Sequence, residues 1–178
     1  TAVLEDASGL RTESVIRSKD HFSIRTGKAH QPIIDTTTPD GKRYGYIDMD
    51  KLLPEQVGAV MTQFRETDAI IFDIRGYPAG SIFELAKYLL PVSRPIARFS
   101  APSTNYAGML DWHATYAGGN GDWTYRGKLI VLINEKAISH AEYTCMFFKA
   151  ATNSIFIGSP TRGSDGHVTT VELPGGIT

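Results

Sequence analysis

Lys128-Leu-Ile-Val-Leu-Ile133, then Asn134-Glu-Lys-Ala-Ile138, then Ser139-His-Ala-Glu142 is the stretch that decides the fold. A short run of unbroken apolar residues, rich in β-branched side chains, reads as a strand buried on both faces, the habit of parallel sheets. A polar turn follows. From Ser139 to Ala151, the residues Ala141, Cys145, Phe148 and Ala151 recur at helical spacing. Strand, short turn and helix in that order make half of a βαβ unit.

The same rhythm extends outward. Ser154 to Gly158 reads as the next strand, and Val168 to Leu173 as a final one before Pro174. Upstream, Tyr44 to Met49 and Ala69 to Ile74 read as strands. Leu53 to Glu66 carries Leu53, Val57, Val60, Met61 and Phe64 at helical spacing with Pro54 in the first turn, and Ile82 to Leu90 is a helix closed by Pro91. Alternating strands and helices with short connections predict an α/β fold with βαβ units on a mainly parallel sheet. Two regions lack this order. Gln31 to Lys42 is turn-rich, and Phe99 to Tyr125 reads as a long aromatic-rich insertion whose aromatics from Tyr106 to Tyr125 pack beneath it or, alternatively, line a substrate groove. In the first third, Ser14 to Ile16 and His21 to Ile24 are short alternating runs, and together with the turn-rich segment they read as β-structure and loop.

The chain has 178 residues, 42% hydrophobic and 21% charged, enough for one real core. Its formal charge of -1 gives no global field to recruit nucleic acid or an anionic membrane. No apolar stretch approaches the roughly 20 residues of a membrane span, and the first residues lack the basic and apolar regions of a signal peptide, as expected also of a chain from which an export signal has been removed. The lone Cys145 has no internal disulfide partner. Asp35, Asp40, Asp48 and Asp50 lack the spacing of a calcium loop, no Cys/His set suggests zinc, and Gly118 to Gly121 lacks a phosphate-loop lysine, so no cofactor is expected. A start at Thr1 without methionine, and an end on Gly175-Gly176-Ile177-Thr178, lead to the expectation of a fragment.

A serine opening a helix after a buried strand is presented at the carboxyl edge of the sheet, where open α/β folds bind ligands. Helix N-terminal N–H groups there favour a developing oxyanion. Ser139 is therefore the candidate nucleophile and the backbone N–H of His140 a candidate oxyanion donor. Ser139-His140-Ala141-Glu142 is equally a capping box. Asp73-Ile-Arg75-Gly-Tyr77-Pro-Ala79-Gly80 brings Ala79 and Gly80 to the same edge as further backbone donors, and Gly158-Ser-Pro-Thr161-Arg-Gly163 brings a third loop. The side chain of His140 is expected to miss Ser139, because successive helical side chains diverge by about 100°. His167, beyond a glycine-bearing loop, is the candidate base inside the chain; His21, His30 and His113 read as surface or half-buried residues.

Taken in order, these segments resemble the core of the C-terminal-processing (tail-specific) serine peptidases, from about Tyr44 to Gly176. Asp73, Arg75, Tyr77, Pro78, Ala79 and Gly80 follow the family's first pattern, Ser139 and Glu142 its second, and Gly158, Thr161 and Gly163 its third. The resemblance implies a ClpP/crotonase-like fold and a peptidase that takes a polypeptide in extended conformation through an acyl-enzyme on Ser139. It also implies a PDZ domain upstream, of which residues 1–43 would be the trailing edge or linking strands, with 44–178 a truncated core. A periplasmic or cell-envelope location is implied in the same way; oligomeric state is not. The bacterial branch places its lysine base where Ser164 stands. The resemblance is therefore to the tricorn-like branch, whose base lies outside this fragment, and the isolated chain is expected to show little activity. An inactive homologue that binds a peptide is the alternative reading, and an acyl-CoA enzyme of crotonase type a more distant one.

Overall fold

The structure, a computed structural model, describes residues 2–6, 9–13, 33–151, 153–166, 171 and 174–175. His21, His30, His167 and most of the strand expected over 168–173 fall outside these residues.

Strands β1 (Ala2–Asp6) and β2 (Gly9–Glu13) form an antiparallel pair. The main sheet has five strands: β3 (Ile33–Thr37), β4 (Arg43–Asp48), β5 (Ala69–Asp73), β8 (Lys128–Ile133) and β9 (Ser154–Gly158), in the spatial order β3-β4-β5-β8-β9. Only β3 is antiparallel; β4, β5, β8 and β9 run parallel. The mainly parallel α/β sheet is thus the one expected. β5 is buried at four of its five positions and reads as a continuous apolar run because both faces are covered.

Helices α1 (Val57–Gln63), α2 (Ile82–Leu89) and α3 (His140–Ala150) supply that cover. α1 is preceded by a 3-10 turn over Pro54–Gln56 and stops at Gln63, shorter than the periodicity predicts. Each helix buries one stripe: Val57, Val60 and Met61; Ile82, Leu85, Ala86 and Leu89; Ala141, Thr144, Cys145, Phe147 and Phe148. Phe72 of β5 meets Phe148 of α3 with ring centroids 4.6 Å apart, which fixes the helix over the sheet centre.

Two segments are sharpened by the structure. The turn-rich region, read as β-structure and loop, contains β3, an edge strand paired with β4, so the sheet begins upstream of Tyr44. It is mostly exposed, which removes the apolar alternation that marks a strand. The region read as an insertion contains a hairpin, β6 (Arg94–Pro102) with β7 (Leu110–Ala117), antiparallel and bulged between Pro95 and Ala97. Prolines at both ends of β6 disguise it, and they are tolerated because proline sits at strand ends and bulges. Trp123 and Tyr125 do pack inward, with the Tyr125 hydroxyl 2.9 Å from the Thr67 hydroxyl, whereas Tyr106, Trp112 and Tyr116 are exposed.

Candidate active site

Parallel pairing brings the carboxyl ends of β5, β8 and β9 to one edge, since Asp73 lies opposite Leu132 and Ile133 opposite Gly158. Three loops leave that edge. The first, after β5, is held by Asp73, whose carboxylate accepts from Arg75 Nε at 2.9 Å, the Arg75 backbone N–H at 3.0 Å and the Tyr46 hydroxyl at 2.8 Å. Burial works to raise the Asp73 carboxyl, but the Arg75 guanidinium and N–H and the Tyr46 hydroxyl outweigh it, so it lies below its ordinary range. Farther along, Gly80 adopts φ +86°, a conformation that favours glycine. The Ala79 N–H donates to the Met49 carbonyl at 2.9 Å. Of the two expected donors on this loop, Ala79 is therefore engaged in holding the loop, which leaves Gly80.

The second loop is the serine turn. Asn134 closes it, its side chain accepting from the Lys136 N–H at 2.9 Å and its carbonyl from the Ala137 N–H at 3.0 Å. Ser139 follows with φ 55° and ψ −123°, a positive φ that only one other described non-glycine residue, Asn153, shares. A side-chain-bearing residue held there costs on the order of 1–3 kcal/mol and persists only where its surroundings fix it. Sharp, strained strand-to-helix turns of this kind are the geometry in which α/β-hydrolases present a nucleophile above a sheet. Of the expected capping box one half is formed, the Ser139 N–H donating to the Glu142 carboxylate at 3.3 Å, while the Ser139 side chain makes no capping bond. The N–H groups of Ala141, Glu142 and Tyr143 donate to the Ile138 and Ser139 carbonyls, while that of His140 has no such partner among the described residues.

The third loop is tied to the second. The Arg162 N–H donates to the Ala137 carbonyl at 3.0 Å and the Ser139 N–H to the Ser164 carbonyl at 2.8 Å. Glu142, itself buried, accepts from the Gly163 N–H at 2.6 Å, the Ser164 N–H at 2.7 Å and the Ser139 N–H at 3.3 Å. Burial works to raise its carboxyl, but the Thr161 hydroxyl and these three N–H groups hold it below the usual range. Gly158 begins the loop where a Cβ would lie 1.9 Å from the Ile133 carbonyl oxygen, so no larger residue fits.

A cleft of about 410 Å³ opens at the junction. Ser139, His140 and Tyr143 line it from the serine turn and α3, Asp165 and Gly166 from the third loop, and Phe99 and Thr115 from the hairpin. His140 lines the same cleft as Ser139. Burial lowers the His140 pKa, partly offset by the charge of Asp165. Phe99, Thr115 and Asp165 escape sequence reasoning: two lie on the unrecognised hairpin, and nothing in the pattern singles out Asp165. Cys145 is no competing nucleophile, since burial pushes its thiol up to about 12. No cluster that could hold a metal ion occurs among the described residues. His113 is exposed on β7.

A mainly parallel sheet flanked by helices, with a strained serine turn at its carboxyl edge, defines a ClpP/crotonase-like α/β protein. The chain belongs to peptidase family S41, whose model matches residues 43–178. No curated protein shows significant similarity to the sequence. A peptidase structure from Parabacteroides merdae is similar at TM-score 0.62 and 18% identity, covering 84% of this chain and 50% of that one. Mature CPAF is similar at TM-score 0.58 and 16% identity, over 80% of this chain and 42% of its own. The photosystem II D1 C-terminal processing protease is similar at TM-score 0.54 and 19% identity, over 88% and 42%. At these identities the likeness is one of fold. The chain spans half or less of each of these structures.

Proposed function

We propose that the chain is the catalytic core of a serine endopeptidase of the tail-specific type, acting on polypeptides through an acyl-enzyme on Ser139. The observation that carries this reading is the strained Ser139 turn, opening into a cleft at the junction of three loops. The Ser139 Oγ attacks the scissile carbonyl carbon as its proton passes to a base. Negative charge gathers on the carbonyl oxygen, facing the N–H groups of His140 and Gly80. The C–N bond then breaks, the amine leaves with the proton, and water releases the acyl group. An extended substrate would add its backbone along the sheet edge. The β1–β2 pair would belong to the trailing edge of a PDZ domain, and the protein to the periplasm or cell envelope.

The test is cleavage of an unfolded polypeptide by the full-length protein beside its Ser139→Ala variant. Loss of cleavage in the variant is expected; equal cleavage by both defeats the assignment. A non-catalytic peptide binder is the second reading, favoured by Ser164 at the lysine position, and it gains if neither protein cleaves.

A further inference from the structure

A carboxylate is carried to the Ser139 turn by the backbone itself. The Ser139 N–H donates to the Ser164 carbonyl at 2.8 Å, so Asp165, the next residue, starts at the carbonyl that touches the candidate nucleophile. Its loop is braced from α3, where the Glu142 carboxylate accepts the Gly163 N–H at 2.6 Å and the Ser164 N–H at 2.7 Å. Asp165 is half-buried and lines the same cleft as Ser139. We propose that Asp165 is a specificity-determining residue that receives a lysine or arginine side chain next to the scissile bond, an inference that rests on Ser139 being the nucleophile and names the substrate class of that site.

The other walls of the cleft suit such a side chain. Among the described residues neither lysine nor arginine lines it, and burial biases the His140 ring toward its neutral form against the opposing pull of Asp165. Phe99 of β6 and Tyr143 of α3, with ring centroids 5.7 Å apart, offer aromatic surface. The methylene stem of lysine or arginine packs on such rings, and the cation is attracted to their faces. A carboxylate has about four acceptor sites, so Asp165 can take an ammonium or guanidinium in addition to its contacts within the protein. Half-burial strengthens the pairing relative to one in open water. A glutamate or aspartate in the same place meets a like charge and is rejected, while an uncharged side chain gains the aromatic contact alone. The discrimination is expressed in kcat/KM, because the substrate is gripped beside the reacting carbonyl.

The experiment uses the full-length protein and N-acetylated peptides that carry lysine, norleucine or glutamate at one central position of an otherwise uncharged Ala/Gly/Ser sequence. Acetylation confines the positive charge to the side chain, and norleucine keeps the stem without it. The wild type is expected to cleave beside lysine with kcat/KM about 30-fold or more above norleucine, and beside glutamate least of all. In Asp165→Asn the lysine-to-norleucine ratio is expected to fall toward one, and in Asp165→Lys the preference is expected to turn to glutamate. A wild type that cleaves without favouring lysine, or a ratio unmoved in a natively melting Asp165→Asn, overturns the proposal and leaves the Ser139 reading intact. A second readout needs no chemistry: binding of the same peptides, dye-labelled, to Ser139→Ala, followed by fluorescence anisotropy. Tighter binding of the lysine peptide, lost in the Ser139→Ala, Asp165→Asn double variant, is the expected result. Lysine bound no better than norleucine overturns the pocket, whether or not the wild type cleaves any peptide.

Discussion

Glu142 Oε1 accepts the Gly163 N–H at 2.6 Å, a bond between the helix that follows Ser139 and the loop that carries Asp165 to the cleft. With the Ser164 and Ser139 N–H groups on the same carboxylate, one side chain holds two of the three loops together. Glu142→Gln keeps the size but turns an amide toward a ring of donors. It is expected to cost roughly 2–3 kcal/mol of stability, read by chemical denaturation. Activity is expected to fall further than stability explains, because the Ser139 turn loses its brace.

The acid sensitivity of the fold follows from the same carboxylate and from Asp73. Both are held below their ordinary values of 4.5 and 3.8. A depressed folded pKa gives stability that is present above the ordinary value and lost as pH falls through the folded one. Stability is therefore expected to decline on acidification below about pH 4.5, with a shallower decline in Glu142→Gln. A pH series of denaturation midpoints checks this; an identical slope in the two proteins would count against the clamp.

Ser139 is held at φ 55°, a conformation that costs a side-chain-bearing residue stability. Ser139→Gly is expected to raise stability by about 1–2 kcal/mol while removing activity, since glycine adopts the positive φ freely. Glycine is also a tolerated helix cap, so little is lost on that account. Thermal melting of Ser139→Gly beside Ser139→Ala separates strain relief from simple loss of the hydroxyl.

Asp73 is 5% exposed and bears a charge. Asp73→Asn is expected to cost about 2 kcal/mol, because the Arg75 guanidinium and the Tyr46 hydroxyl lose a charged acceptor. Tyr46→Phe, which removes one 2.8 Å bond, is expected to cost about 1 kcal/mol. Denaturation of the two variants tests the order.

The strand, turn and helix from Lys128 to Ala150 were legible because burial on both faces of β8 and one stripe of α3 leave periodic patterns in the sequence. The same holds for β5 and α2. The pairing of β3 with the main sheet and the β6–β7 hairpin were not legible: β3 and β7 are largely exposed, so no apolar alternation marks them, and prolines at 95 and 102 flank β6. The site was half legible for the same reason. Ser139 and Glu142 are spaced along one element, and the glycines Gly80 and Gly158 mark tight backbone. The engagement of Ala79 by Met49, and the gathering of Ser139 and Asp165 on one cleft, depend on placements across loops that no local pattern encodes.

The central claim is that Ser139 is a nucleophile, and covalent labelling tests it most directly. The full-length protein is treated with a fluorophosphonate, digested, and the modified residue located by mass spectrometry. One adduct on the peptide containing Ser139, absent from Ser139→Ala, is the expected result. No adduct on a natively folded protein, or one carried equally by Ser139→Ala, would contradict it.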